Sequence, residues 1–313
     1  MNTSDQVIYC PLCRSSEAGA IEQLSGAQLR QLWKELGHEF TPEAWGQIHE
    51  QYSVKLYRCR GCDFAFFDPG LTGNEAFYRQ LEHAQYYTPD RAEFQRTLAF
   101  ARRRGLRRIL DVGCGSGSFL DLAKEAGHEA CGIELNRQAA VKAQARGHVV
   151  FERLLQELNS AQTGGAFDLI TLFQVLEHLS NPVEVMKQAS ALLKPGGFVS
   201  IAVPSDEGVY RIVPLDPHQW PPHHVSRWRR KDFAQLAEAT GFKLVECGGD
   251  ILLGSSIEYF CRLHNSLAPI LGRRGYLGGA VLPRMVSFVY RKTGMKFMFP
   301  RWGSSLYGYF QKM

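Results

Sequence analysis

From residue 107 to about 250, short apolar runs alternate with amphipathic stretches, the pattern of a parallel sheet with helices on both faces. Arg108 to Val112 (RILDV) reads as a buried strand that runs straight into GCGSG at 113–117. Phe119, Leu120 and Ala123 then recur at helical spacing until Gly127 stops the helix. Ala130 to Glu134 (ACGIE) is a second strand, followed by a helix from Arg137 with Asn136 as its cap. Phe167 to Phe173 (FDLITLF) is a further apolar strand. Asn181-Pro182-x-Glu184 predicts a capped helix start, with Asn at the cap, Pro in the first turn and Glu184 completing a capping box. Pro195-Gly196-Gly197 predicts that helix's end, and Phe198 to Val203 (FVSIAV) the next strand.

Outside this block the pattern changes. Residues 1–68 carry two cysteine pairs around an insert, Ser25 to Gln51, in which Leu29, Leu32, Trp33 and Leu36 have helical spacing. Residues 69–106 read as a helical connector containing Tyr86 and Tyr87. The third segment, 107–313, holds the alternating block and a basic insertion at about 255–303.

Composition refines this division. Hydrophobic residues are 45% and charged residues 21% of 313, ordinary globular usage. No run reaches the roughly 18 apolar residues of a membrane span, and the polar N-terminus lacks a secretory core. A cytoplasmic protein is the expectation. The net charge of +5 conceals an asymmetry: from Tyr259 onward there are nine basic and no acidic residues, which leaves 27 basic against 31 acidic before it.

A strand entering GxGxG ahead of a helix brings backbone close to a ligand. Gly113, Gly115 and Gly117 remove obstructing β-carbons, and the helix N-terminus offers unpaired N–H groups. Glu134, closing the second strand, can accept from both hydroxyls of a ribose. The dinucleotide fingerprint GxGxxG would need glycine where Ser118 stands. Asp111, just before the loop, suits a ligand with a positive end, such as the amino group and sulfonium of S-adenosylmethionine, better than a pyrophosphate. In order, LDVGCGSGSFL, GIEL, FDLITLFQVLEHL and LLKPGGFVSIAVP resemble the successive motifs of class I S-adenosylmethionine-dependent methyltransferases. The resemblance covers roughly 107–250. It implies a Rossmann-like α/β fold with a seven-stranded sheet in the order 3-2-1-4-5-7-6, strand 7 antiparallel and formed by Ser305 to Phe310. It also implies that Asp111 and the Gly113–Gly117 loop hold the methionine part of the cofactor and Glu134 its ribose. Phe173 and Gln174 would line the cofactor and substrate, and Tyr87 would cover the cofactor.

Cys10 and Cys13, then Cys59 and Cys62, form two CxxC hooks that can present four thiolates to one tetrahedral Zn2+. The helical insert fills the unusually long gap between them. The single cysteines Cys114, Cys131, Cys247 and Cys261 read as small buried hydrophobes. With CRGCDFAFFDP as its second hook and exit, the segment resembles the cysteine-rich module that precedes methyltransferase domains acting on activated sugars and related polysaccharide or secondary-metabolite precursors.

For a hydroxyl acceptor, a base near neutral pH is useful, and WPPHHVSRW (220–228) supplies His224 and His223 as candidates. Glu177-His178 reads as orienting the cleft, and Asp216 and His218 as acceptor-loop contacts. The basic tail is a candidate for peripheral contact with an anionic membrane, for recognition of acceptor phosphates, or for plain packing. The expected partner is a small molecule, most simply a sugar or glycan precursor. The competing readings are a zinc-ribbon scaffold with an inactive core, and a nucleic-acid methyltransferase. The latter lacks both a flipped-base motif and a basic stripe on residues 1–68.

Overall fold

A computed structural model describes residues 7–81, 91–208, 210, 215–250 and 303–313. Tyr86, Tyr87, Cys261 and nearly all of the basic insertion therefore lie outside the described residues.

The N-terminal part builds a four-stranded antiparallel sheet from β1 (Ala18–Ser25), β2 (Ser53–Cys59), β3 (Ala65–Phe67) and, from far along the chain, β9 (Ser226–Arg227), in that order. Helix α1 (Gly26–Glu35) occupies the insert, as its spacing predicts. Its start is a complete capping box: Ser25 Oγ accepts from Gln28 N at 3.2 Å, and Ser25 N donates to Gln28 Oε1 at 2.8 Å. Leu29, Leu32 and Trp33 are buried on its inner face. Helices α2 (Glu75–Leu81) and α3 (Ala92–Arg104) follow.

The second sheet has seven strands: β4 (Arg108–Val112), β5 (Glu129–Ile133), β6 (Val150–Phe151), β7 (Phe167–Phe173), β8 (Leu193–Pro204), β10 (Phe242–Gly249) and β11 (Ser305–Lys312). Their order is β10-β11-β8-β7-β4-β5-β6, the Rossmann-like order expected. Only β11 runs against both its neighbours, β8 and β10. Side chains alternate across such strands, so parity assigns the faces. Leu110, Val112, Ile170, Leu172, Val199 and Ile201 face a core shared with α6 (Pro182–Leu192) and α7 (Arg230–Thr240). Ile109, Leu169, Phe173, Phe198 and Ala202 face α3 and α4 (Ser118–Glu125). The first core continues without a break into the N-terminal part through Leu12, Phe64, Phe66 and Trp228.

Two local expectations are corrected. Asn136 caps α5 (Arg137–Ala145) as predicted, its Oδ1 accepting from Gln138 N and Ala139 N. Asn181 makes no side-chain cap of α6. Its ψ of 71° departs from the extended backbone that aims the side chain of Ser25 (ψ 156°) at its helix. Helix α6 also ends before Pro195-Gly196-Gly197. Leu193 already pairs with Phe167, and pairing resumes at Phe198 with Leu169, so residues 194–197 bulge out of β8 instead of following the helix. Among the described residues no helix is long and apolar enough to cross a membrane.

Trp228 is wholly buried between Phe64 (ring centroids 4.8 Å) and Phe233 (5.9 Å), bridging the two sheets. Trp228→Ala is expected to cost about 3–5 kcal/mol, measured by urea unfolding of the whole chain.

Candidate functional site

Strand β4 delivers Asp111 and the glycine turn to the carboxyl edge of the sheet. Gly113 has φ +75°, and a β-carbon there would come within 2.7 Å of Val175 Cγ2, so the turn requires glycine. Gly117 (φ +87°) is the N-cap of α4. Gly115 N donates to Glu134 Oε2 at 2.8 Å, and Asn136 N to Glu134 Oε1 at 2.7 Å. The carboxylate that follows β5 is thus held by two backbone donors directly against the glycine turn.

Beside this turn opens a cleft at the carboxyl edge of the sheet. Arg91, Phe94, Asp111, Gly113, Phe173 and Gln174 are among its lining residues. Four of the predicted residues therefore share one cavity, with Glu134 bonded to its rim. Gln174 takes φ +57°, a conformation uncommon for residues other than glycine, directly after β7. Its N–H donates to Ala202 O at 2.7 Å, and its Nε2 lies 3.3 Å from both Glu93 Oε1 and Ser305 Oγ. The cleft's connector wall comes from Arg91 and Phe94, which sequence reasoning did not single out. Neither belongs to a motif, and only the docking of α3 against α4 brings them there.

Asp111 is 3% exposed, and Thr171 Oγ1 lies 2.6 Å from its Oδ1. Burial pushes its carboxyl up to about 7, the charge of Glu134 adds to the rise, and the Thr171 bond opposes it.

His223 and His224 are both buried, their rings stacked with centroids 4.3 Å apart, and they are not among the residues lining this cleft. They meet Glu177 and His178, in the 3-10 turn 176–178 just beyond β7. Burial raises Glu177 to about 8, lowers His178 to about 4, and holds His223 and His224 well below the usual histidine range. Sequence reading treated the two dipeptides separately, and the fold puts them together. Asp216 Oδ1 accepts from His218 N at 3.0 Å and lies 2.8 Å from His218 Nδ1, an internal turn contact.

The four paired cysteines also converge. Their sulfurs all lie within 4.8 Å of one another, with Cys10–Cys62 at 3.6 Å and Cys13–Cys59 at 3.5 Å. Each short contact joins one hook to the other, and tetrahedral Zn–S bonds of about 2.3 Å set a sulfur spacing near ~3.8 Å. Burial pushes the Cys10 thiol up to about 12 and raises Cys62 further. An ion is what would keep these sulfurs as thiolates. Among the single cysteines, Cys114 is buried, and Cys131 and Cys247 are partly so.

The reversed strand β11 sets this sheet apart from all-parallel dinucleotide-binding sheets, and with the acidic cleft at the end of β4 it defines a class I S-adenosylmethionine-dependent methyltransferase. The chain belongs to the methyltransferase domain family, whose model matches residues 77–247. It is 28% identical over 172 residues to the ubiquinone biosynthesis O-methyltransferase of Methylococcus capsulatus, covering 48% of this chain and 73% of that protein. Over 98 residues it is 36% identical to the protein of the same description from Ralstonia nicotianae, covering 30% of this chain and 41% of that one. A solved methyltransferase structure from Archaeoglobus fulgidus aligns with 75% of this chain and 100% of its own, at 18% identity and a TM-score of 0.47.

The position of Asp111 has a measurable consequence. Its folded value lies above the ordinary 3.8, so the folded state holds the proton more tightly than the unfolded chain. Stability therefore falls as pH rises from about 4 to about 7, then levels off. In cofactor-free protein, Asp111→Asn should remove that slope. Relative to the parent, the variant should gain on the order of 2–4 kcal/mol between pH 4 and pH 8, followed by urea unfolding across pH.

Proposed function

We propose that this enzyme transfers the methyl group of S-adenosylmethionine to oxygen or carbon of a small-molecule acceptor of the sugar or glycan-precursor type. The observation that carries the reading is the convergence of Asp111, the 113–117 turn and Glu134 around one cleft. In this reading Asp111 and the glycine turn receive the methionine end of the cofactor, whose ammonium and sulfonium charges offset the buried carboxyl. Glu134 takes the ribose hydroxyls, and Phe173 and Gln174 face the transferred methyl. Displacement at a sulfonium has a good leaving group, so positioning donor and acceptor supplies much of the catalysis. On the acceptor side the reading uses the histidine cluster as a unit, because His223 and His224 do not stand apart from His178, and Glu177 Oε1 lies 3.8 Å from His178 Nε2 and 4.0 Å from His224 Nε2. The matched relatives are described as O-methyltransferases, which favours oxygen as the acceptor atom.

The same reading places Zn2+ on Cys10, Cys13, Cys59 and Cys62, where the sulfur spacing fits a tetrahedral ion. Bound there, the ion would close residues 1–68 into a module against which the acceptor loop packs.

Methyl-labelled S-adenosylmethionine, incubated with the protein and a cell extract, is expected to deliver label to the small-molecule or lipid fraction. Glu134→Ala should weaken cofactor binding about 100–10,000-fold by calorimetry, the loss of two hydrogen bonds to a charged group. Label found only in nucleic acid or protein would reject the acceptor class. For zinc, metal analysis of reduced protein should find one ion held by the four cysteines, and Cys10→Ser with Cys13→Ser should abolish it and lower Tm.

A further inference from the structure

Helix α3 is charged in opposite senses at its two ends. Its first turn holds Glu93, and its last turn is Arg102-Arg103-Arg104. Gly105 then turns the chain with φ +67°, and Arg107 and Arg108 follow at the start of β4. Five of the seven residues 102–108 are therefore arginine. They lie where β4 begins, at the amino edge of the sheet, while Gly113 and the cofactor cleft lie past its other end. The five residues of that strand put roughly 16 Å between the two.

The arginines are used differently. Arg108 turns inward, its guanidinium donating to Thr163 O at 2.8 Å and to Glu129 Oε1 at 2.9 Å. Arg104 is exposed and lies 5.5 Å from the rings of Phe100 and Phe198. Arg102, Arg103 and Arg107 are exposed, and their side chains make no hydrogen bond or ion pair among the described residues. Asp168 is at this end too, but it is already engaged. Its Oδ2 accepts from the backbone N–H groups of Arg107 and Arg108 at 2.9 and 2.8 Å, and its Oδ1 from Lys194 Nζ at 2.7 Å. A single cation answers the carbonyl end of a helix. Four exposed ones exceed that need and repel one another. Successive helical residues are about 100° apart, so Arg102, Arg103 and Arg104 fan across roughly 200° around the end of α3. The fan makes a broad basic face, not a groove.

We propose that this amino-edge face, formed by Arg102, Arg103, Arg104 and Arg107, docks the protein on an anionic lipid bilayer. Guanidinium groups pair with phosphate through two parallel N–H bonds, and a cluster of this size holds a protein at a charged leaflet. A bilayer is flat and offers many phosphates at once, which suits the fan. Single-stranded nucleic acid is held by cations interleaved with stacking rings. Among the described residues the large exposed aromatic is Tyr9, beside Cys10, so that combination is missing at this end. Charge also sets the orientation. Residues 1–258 carry 27 basic against 31 acidic groups, and Glu93, Asp111 and Glu134 lie toward the opposite edge. An anionic surface attracts the arginine end and repels the other, leaving the cofactor cleft open to solution. Contact is electrostatic, because residues 91–108 expose no large apolar side chain.

The test sediments the full chain with vesicles of phosphatidylglycerol mixed into phosphatidylcholine, and with phosphatidylcholine alone. Neither cofactor nor acceptor is present, so the outcome is independent of the methyl-transfer reading. Expected is binding to the mixed vesicles only, present at about 0.15 M salt and lost at about 1 M, where screening is strong. Each cation near a charged leaflet contributes about 5-fold, so Arg102→Gln, Arg103→Gln and Arg107→Gln together should weaken binding about 100-fold. Lysine at the same three positions keeps the charge and should keep the binding. No binding to the mixed vesicles, equal binding to phosphatidylcholine, survival in about 1 M salt, or unchanged affinity in the glutamine variant would each overturn the proposal. So would tighter binding to duplex RNA than to vesicles. Loss of binding on Arg291→Gln with Lys292→Gln, but not on the arginine variant, would move the contact to the basic insertion and overturn it as well. Should the glutamine variant fold poorly, phenylglyoxal labelling of the parent, mapped by mass spectrometry, decides: vesicles should protect Arg102, Arg103 and Arg107, and unprotected arginines reject the docking face.

Discussion

Both hydrogen-bonding groups of the Val225 peptide unit are engaged, on opposite sides of the loop that carries it. Its N–H donates to Glu177 O at 2.8 Å, beyond β7, and its carbonyl accepts from Phe67 N at 2.9 Å, at the end of β3. This residue is one of several links between the cysteine-bearing sheet and the methyltransferase sheet, beside the Gln235 Nε2 to Cys62 O bond at 2.8 Å and the shared core around Trp228. Much else follows from it. Ser226 and Arg227 continue the same register, pairing with Phe66 and Ala65 of β3. Trp228 then falls between Phe64 and Phe233, and Arg227 lies over the rings of Phe67 and Trp220, with Glu22 3.4 Å from its guanidinium. The histidines just before Val225 are carried against Glu177 by the same constraint.

The cofactor edge rests on a different balance. Parallel strands bring their carboxyl ends to one side, so residues that are distant in sequence gather there. Here that edge collects Asp111 and Glu134, two acidic groups close enough for the charge of Glu134 to oppose ionisation of Asp111, which is almost fully buried. Such an arrangement is unfavourable in an empty cleft and becomes favourable around a ligand that carries positive charge. The amides of the glycine turn are themselves engaged, Gly113 and Cys114 N with Ile133 O, Gly115 N with Glu134 and Gly117 N with Cys114 O, so the start of α4 carries the positive end of a helix on this rim.

The cysteine cluster and the histidine cluster sit on either side of the Val225 link. The first depends on two local turns, each fixed by its own CxxC spacing. The second depends on tertiary packing, since its two pairs lie 45 residues apart in sequence. Loop 217–228 thereby packs against both parts of the molecule, through Val225 and Trp228.

What the amino-acid sequence determined by itself is whatever local chemistry dictates. Five-residue apolar runs, GCGSG, the Asn136 cap and the two CxxC hooks each specify structure within a dozen residues, and each took the expected form. The sheet order, with Ser305–Lys312 as the reversed strand, was legible through resemblance to a family rather than through physics. Local signals failed where pairing partners overrode them: Asn181 has the right identity for a cap but the wrong backbone angle, and residues 194–197 bulge because β7 recruits Leu193. The tertiary structure alone decided that β9 completes the N-terminal sheet, that Arg91 and Phe94 wall the cleft, and that Glu177-His178 meets His223-His224. Those contacts join segments tens of residues apart, and no periodicity or spacing encodes them. They exist because burying both faces of the sheet leaves these loops only one place to pack.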